Sequence, residues 1–433
     1  MSPLSIIICV FGLGILAAAH EIGHFLVAKR LGIKVEELSI FVGPSLVTWK
    51  RKGIEYHIRL IPFGAYVRFA GLEDEDGGVA NPDSFFNQSK WKRLLVSLGG
   101  PVTNYLLGII IFAVTFSFTG FLTLNLGTIS PDTQIAATQA VEGDKILSVN
   151  GQNILTDLDF SYIENSITNS DYVTMKLRSH ITGETYNIVL KPKISLQYHL
   201  GITYIYGLDK YGGWTIADVD PGQNDGNPVF KIGDSLLSIN GIAVTDPNLA
   251  ATIENSKGAE ITAAIIRDGV KQDVKMKPMI INTVNDRGIN ILSGTGFLPI
   301  MKQSVLYSVS LTKVTIFIIS DLITGKVAPK DTLSGPVGIA SIVSGVVDEP
   351  SIDNTQKIET LGLIAGFISV GLAISNLLPL PGLDGNALVL LSIEMIRGRK
   401  LSIRTEKVIN AVGFLFLITI TIFVLYWDLL RLR

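Results

Sequence analysis

The sequence predicts a polytopic α-helical membrane protein. It has four transmembrane helices, one of them broken, plus a β-hairpin, and it carries two inserted copies of a small α+β domain. Three observations carry this. The 433 residues are 47 % hydrophobic with a mean hydropathy of +0.42, too apolar for an ordinary soluble chain and too polar for one that is all membrane. Apolar runs long enough to cross a bilayer stand near both ends, and a polar region between them repeats itself. The net charge is only −2, and no basic tract with interleaved aromatics occurs, which argues against a nucleic-acid partner. The one cysteine, Cys9, leaves no internal disulfide to form.

The first span covers residues 4–27 and is almost wholly apolar except for His20, Glu21 and His24. It lacks the basic start and small-residue cleavage site of a signal peptide. Residues 94–122 and 408–426 read as further spans. Residues 361–396 read as a fourth, interrupted by two prolines and two glycines between Asn376 and Gly385. Lys29, Arg30, Lys34, Lys50, Arg51, Lys52, Lys90, Lys92 and Arg93 lie between the first two spans, and Arg397, Arg399, Lys400, Arg404 and Lys407 between the last two. Cationic loops stay in the cytoplasm, so the N-terminus, the middle region and the C-terminal tail are expected outside. Residues 304–323 carry Lys313, Asp321 and polar groups every three or four positions. That pattern predicts an amphipathic helix on the outer membrane surface. In residues 53–71, Tyr56, Ile58 and Leu60 alternate with His57 and Arg59 before a turn over Pro62, Phe63, Gly64 and Ala65, which predicts a hairpin.

The repeat lies between residues 123 and 290. Gly143-Asp144-Lys145-Ile146-Leu147-Ser148-Val149-Asn150-Gly151 recurs as Gly233-Asp234-Ser235-Leu236-Leu237-Ser238-Ile239-Asn240-Gly241, an offset of 90 residues that Pro131 and Pro221 share. Each copy reads as a turn, a short apolar strand and an Asn-Gly turn. The pattern resembles the core of PDZ domains, which capture extended peptides at a sheet edge. Two small domains acting only as a spacer fit the sequence as well.

His20-Glu21-Ile22-Gly23-His24 is an H-E-x-x-H motif. On a helix the two histidines share a face and can reach one Zn2+, while Glu21 stands beside a metal-activated water. Ionisable groups at bilayer depth cost about 2.5–3.5 kcal/mol each, so three on one turn have a task. Catalytic zinc takes three protein ligands. His57, His180 and His199 fall in extramembrane segments. Asp384, in the broken span beyond its midpoint, is the best third candidate. Asn376 could bind substrate backbone or simply cap the broken helix.

These elements occur in order with Gly100-Pro101-Val102-Thr103-Asn104 in the second span, Ser334-Gly335-Pro336-Val337-Gly338 and Asn376-Leu377-Leu378-Pro379-Leu380-Pro381-Gly382-Leu383-Asp384-Gly385. Together they resemble the site-2 protease family of intramembrane zinc metalloproteases, most closely its bacterial regulator of sigma-E protease type. The resemblance implies zinc ligands at His20, His24 and Asp384 and a catalytic Glu21. It implies a substrate-holding Asn376 and a membrane-re-entrant hairpin containing Gly64, Ala65, Tyr66 and Val67. The expected organisation is residues 1–122 for the first two spans, 123–200 and 201–285 for two PDZ-like domains, 286–360 for a linker with the surface helix, and 361–433 for the last two spans. The implied substrates are single-pass membrane proteins such as a pre-trimmed anti-sigma factor, and remnant signal peptides, in the bacterial inner membrane. Ala65 replaces the second glycine of a pair usual in relatives, and Asn386-Ala387 replaces Gly-His. The competing readings are a catalytically silent membrane scaffold whose PDZ-like domains recruit partners, and a transporter. The intact motif with Asp384 counts against the first, and the lack of an inverted repeat among the spans against the second.

Overall fold

The structure is a computed structural model that describes residues 2–71, 81–168, 171–205, 207–332, 334–399 and 403–431. Lys400 of the cationic loop lies outside them. The chain begins with α1 (Pro3–Arg30), β1 (Val35–Arg51), β2 (Ile54–Phe69), α2 (Lys90–Thr119) and β3 (Phe121–Leu126). Next come β4 (Lys145–Val149), β5 (Gln152–Asn153), α3 (Asp157–Asn165), β6 (Val173–Arg178), β7 (Thr185–Leu190) and β8 (Ile194–His199). The second copy holds β9 (Ile202–Tyr204), β10 (Trp214–Val219), α4 (Gln223–Gly226), β11 (Ser235–Ile239), β12 (Ile242–Ala243) and α5 (Leu249–Asn255). It ends with β13 (Ile261–Arg267), β14 (Val270–Met276) and β15 (Met279–Val284). Then follow β16 (Ile291–Gly294), α6 (Phe297–Ile323), α7 (Pro329–Thr332), α8 (Pro336–Val347), α9 (Asn354–Asn376), α10 (Asp384–Arg397) and α11 (Ile403–Arg431). Two compact units result: Met1–Asn125 with Asn153–Asn165 and Ile291–Arg433, and Leu126–Gln152 with Ser166–Asn290.

Among the described residues of the first unit, five helices are long and apolar enough to cross a membrane: α1, α2, α6, α9 and the Ala411–Arg431 part of α11. Their outer faces are apolar and exposed, as at Ile7, Phe11, Ile110, Phe118 and Phe414. Hydrocarbon, not water, is the solvent such faces need. Helices α1 and α2 touch through glycine, for a Cβ on Gly23 would fall 2.3 Å from the Gly99 carbonyl oxygen. Small residues let membrane helices approach this closely.

The broken span is present as α9, a break at residues 377–383, and α10. A capping box between Asp353 and Gln356 starts α9. Irregular backbone at membrane depth needs a cover. Here α11 supplies it: a Cβ on Gly413 would collide with Pro381, and one on Gly382 would meet Leu417. The other end of α11 is held by buried Asp428, which accepts hydrogen bonds from the Gly335 and Gly338 amides (3.0 and 2.8 Å) at the start of α8.

Two expectations change. The sequence pattern places the hairpin within residues 53–71, but it is built from both β1 and β2, joined at Lys52 and Gly53 in left-handed backbone. Residues 37–40 of β1 pair with residues 55–58 on one side and 65–68 on the other. The halves of β2 therefore run in opposite senses, reversing near Gly64 (φ +75°), as the turn residues suggested. Buried Glu37 pins the layers by bonding Arg59 (2.9 Å), Arg68 (3.0 Å) and the Tyr66 hydroxyl (2.6 Å). The second change is α6, which starts at Phe297 rather than residue 304 and turns its polar face inward. Ser304, Ser308 and Ser310 are buried, while Phe297, Leu298, Ile316 and Ile323 are exposed.

The second unit repeats itself in space as in sequence. Strands β4 and β11 stand at the same 90-residue offset, and each ends in an Asn-Gly turn with positive φ at Asn150, Gly151, Asn240 and Gly241. The second copy has strand order β14-β13-β11-β10-β9 over a core of Leu236, Ile239, Ile261, Ile265 and Met276. In the first, β6 lies between β4 and β7. Asp144 and Asp234 do matching work, each accepting from an amide three residues before it (Val141 and Lys231).

Candidate active site

Spacing within α1 puts His20 and His24 one turn apart, with their Nε2 atoms 3.1 Å from each other. Asp384 is the first residue of α10, immediately after the break. Its Oδ2 lies 3.0 Å from His20 Nε2 and 3.4 Å from His24 Nε2. A Glu21 carboxylate oxygen lies within 4.8 Å of ligand atoms of both histidines.

The donor set fits a tetrahedral metal. Three atoms each about 2 Å from one centre would stand about 3.3 Å apart at tetrahedral angles. His24 Nδ1 is 2.7 Å from the Val96 carbonyl oxygen, which can only accept. The ring proton therefore sits on Nδ1, and the Nε2 lone pair faces His20 and Asp384. His20 Nδ1 is buried and has no hydrogen-bond partner among the described residues.

Two neighbouring elements shape the site. Gly100 of α2 lies directly against the histidines: a Cβ there would stand 2.4 Å from His24 Nε2 and 2.6 Å from His20 Nε2. From the hairpin, the Val67 backbone amide lies near the Glu21 carboxylate, so strand residues 65–68 bring their edge to the turn that carries the two histidines. A cavity of about 500 Å³ opens beside these groups, lined by Glu21, Gly64, Ala65, Asn104, Asn376 and Asp384 among others.

A protein-family comparison matches residues 8–420 to peptidase family M50. The chain belongs to peptidase family M50. Full-length relatives agree. A regulator of sigma E protease of Haemophilus influenzae is 26 % identical over 98 % of this chain and 98 % of its own. The regulator of sigma-W protease RasP of Bacillus subtilis is 25 % identical over 97 % and 96 %. The zinc metalloprotease RasP of Oceanobacillus iheyensis is 27 % identical over 97 % of each.

In this M50 peptidase the residues singled out by sequence come together unequally. His20, Glu21, His24 and Asp384 converge, and Asn376, Gly64 and Ala65 line the same cavity. Val67 lies near Glu21 through its amide, and the Tyr66 side chain turns away to Glu37 and Arg59. Sequence reasoning passed over Gly100 and Asn104 as site residues. Their signal was the Gly100-Pro101-Val102-Thr103-Asn104 element itself, but nothing local says which helix it faces.

Proposed function

We propose that this M50 peptidase cuts transmembrane segments of single-pass membrane proteins within the bilayer. It is a zinc metalloprotease by family and by the names of its relatives. The observation that carries the reading is the meeting of His20, His24 and Asp384 on apolar helices. Those three residues would hold Zn2+, which when bound activates water at neutral pH and polarises a carbonyl.

The chain's own residues do the rest. Glu21 takes the proton of the attacking water and returns it to the leaving amine. The Val67 amide lies near that carboxylate from the hairpin side. A helical substrate hides its carbonyls in its own hydrogen bonds and must unwind before it is cut. Residues 65–68 would accept the unwound segment as an added strand, with the small residues Gly64 and Ala65 leaving it room. Asn376, at the end of α9, would hold the same segment.

The two repeated domains read as PDZ-like modules, within residues 123–200 and 201–285. In the second, a cleft of about 640 Å³ between β9 and α5 is lined by Tyr204, Trp214, Ala250 and Glu254. That cleft supports peptide capture, and the pair would also bar substrates with bulky outer domains. Two relatives are named as regulators of sigma factors, so a pre-trimmed anti-sigma factor is the natural substrate, with remnant signal peptides a second class. Loop charge favours four spans in the bacterial cytoplasmic membrane, with the PDZ-like modules outside and the site toward the cytoplasm.

The test is cleavage of a reporter single-pass peptide by purified protein in detergent. Wild type should cut, while Glu21→Gln should be silent with about one zinc per chain still bound. Turnover by Glu21→Gln at the wild-type rate would remove Glu21 from the mechanism.

A further inference from the structure

Asn104 lies one helical turn beyond Gly100 on α2, so it shares the face that supports the two histidines. Its side chain is completely buried, at 0 % exposure. Both its Nδ2 and its Oδ1 lack a hydrogen-bond partner among the described residues. The nearby Ser369 hydroxyl donates to the Asn104 main-chain carbonyl (2.8 Å) and leaves the carboxamide unserved. Asn104 is among the residues around the cavity that also holds Glu21, Asn376 and Asp384.

An unpaired amide in the interior costs stability unless a cavity water or a ligand serves it. An apolar residue of the same size would suit the fold better. What suits the amide is a ligand with one acceptor and one donor side by side. A peptide group in an unwound segment is such a ligand, since unwinding leaves its C=O and N–H without partners. We propose that Asn104 is a substrate-binding residue, whose carboxamide holds a peptide group of the unwound segment in the cavity that Gly64 and Ala65 of the hairpin also line. This rests on the protease reading above.

The experiment uses full-length protein with Glu21→Gln as a non-cutting trap, titrated with a fluorescent single-pass peptide in detergent micelles. Asn104→Leu removes both hydrogen-bonding functions while keeping the number of side-chain heavy atoms, though it is bulkier, and Asn104→Ala serves as a second variant should leucine disturb packing. The expected result is zinc content unchanged, melting temperature equal or higher, and peptide affinity weakened about tenfold. Unchanged affinity in a folded, zinc-loaded variant overturns the proposal. Parallel cleavage by protein with Glu21 intact separates the two levels. If it cuts and affinity does not respond to Asn104, only this assignment falls. If it neither cuts nor binds, the protease reading falls and takes this one with it.

Discussion

A methyl group is enough to test the metal site. Alanine at Gly100 would press its Cβ within 2.4–2.6 Å of the nitrogen atoms that face Asp384, and both histidines are anchored on one helix. Gly100→Ala should therefore weaken zinc binding about 10–100-fold, as disturbing the support of a ligand typically does. The checks are zinc content after dialysis and residual cleavage. Normal zinc retention with normal activity would mean that α2 yields locally and that Gly100 is not a constraint. This contrasts with Glu21→Gln, which should lose activity and keep metal. The histidine pair was legible because a four-residue spacing is a local property of helices. Asp384 was legible because prolines and glycines around a carboxylate are conspicuous in an apolar span. Gly100 was not, because its role is the absence of a side chain opposite another helix.

Among elements, α6 shows how membrane packing inverts a familiar pattern. Its serine stripe suggested a wet face, yet Ser304, Ser308 and Ser310 are buried, and the serine hydroxyls at 304 and 308 bond carbonyls four residues back. Ser310 instead donates to buried Asp159 of α3, which also pairs with Lys313 (3.0 Å). Polar residues serve as contacts between helices, and the apolar face is the one left exposed. The hairpin was half legible: its turn residues spoke, but β1 pairs with two separate stretches of β2, a register no local pattern encodes. In the repeated domains, Asp144 sets a pH dependence. Burial pushes its carboxyl up, but the Tyr186 hydroxyl and the His180 and Val141 amides outweigh that and hold it below the usual aspartate value. A depressed carboxylate contributes stability above its unfolded pKa of about 3.9 and loses it as pH falls through the folded value. The first copy should thus soften below about pH 4. Asp144→Asn should cost about 2 kcal/mol at pH 7 and flatten that acid dependence, as read by thermal melts of the full chain from pH 3 to 7. An unchanged melt at pH 7 would show the bonds to be redundant.

For the whole molecule, orientation and span count are open to one labelling experiment. In a Cys9→Ser background, cysteine replaces Arg51 at the hairpin tip, Lys271 on β14 or Arg399 after α10, all exposed. With a membrane-impermeant maleimide, Lys271→Cys should label in intact spheroplasts, and Arg51→Cys and Arg399→Cys only after lysis. Labelling at position 399 from outside would make α6 a fifth span, and labelling at 51 would reverse the topology. Sequence alone determined that this chain lives in a membrane, that a repeated module interrupts it, and that two histidines and a glutamate share one helical turn. Hydrophobic length, repeat offset and helical spacing are all short-range quantities, so they can be read in one dimension. Only the tertiary structure decided that Asp384 meets those histidines, that Gly100 packs against them, that Val67 lies near Glu21, and that the Asn104 carboxamide has no partner among the described residues. Each of these depends on how closely separate helices and strands pack, and glycine contacts and strand register set that distance between segments far apart in the chain.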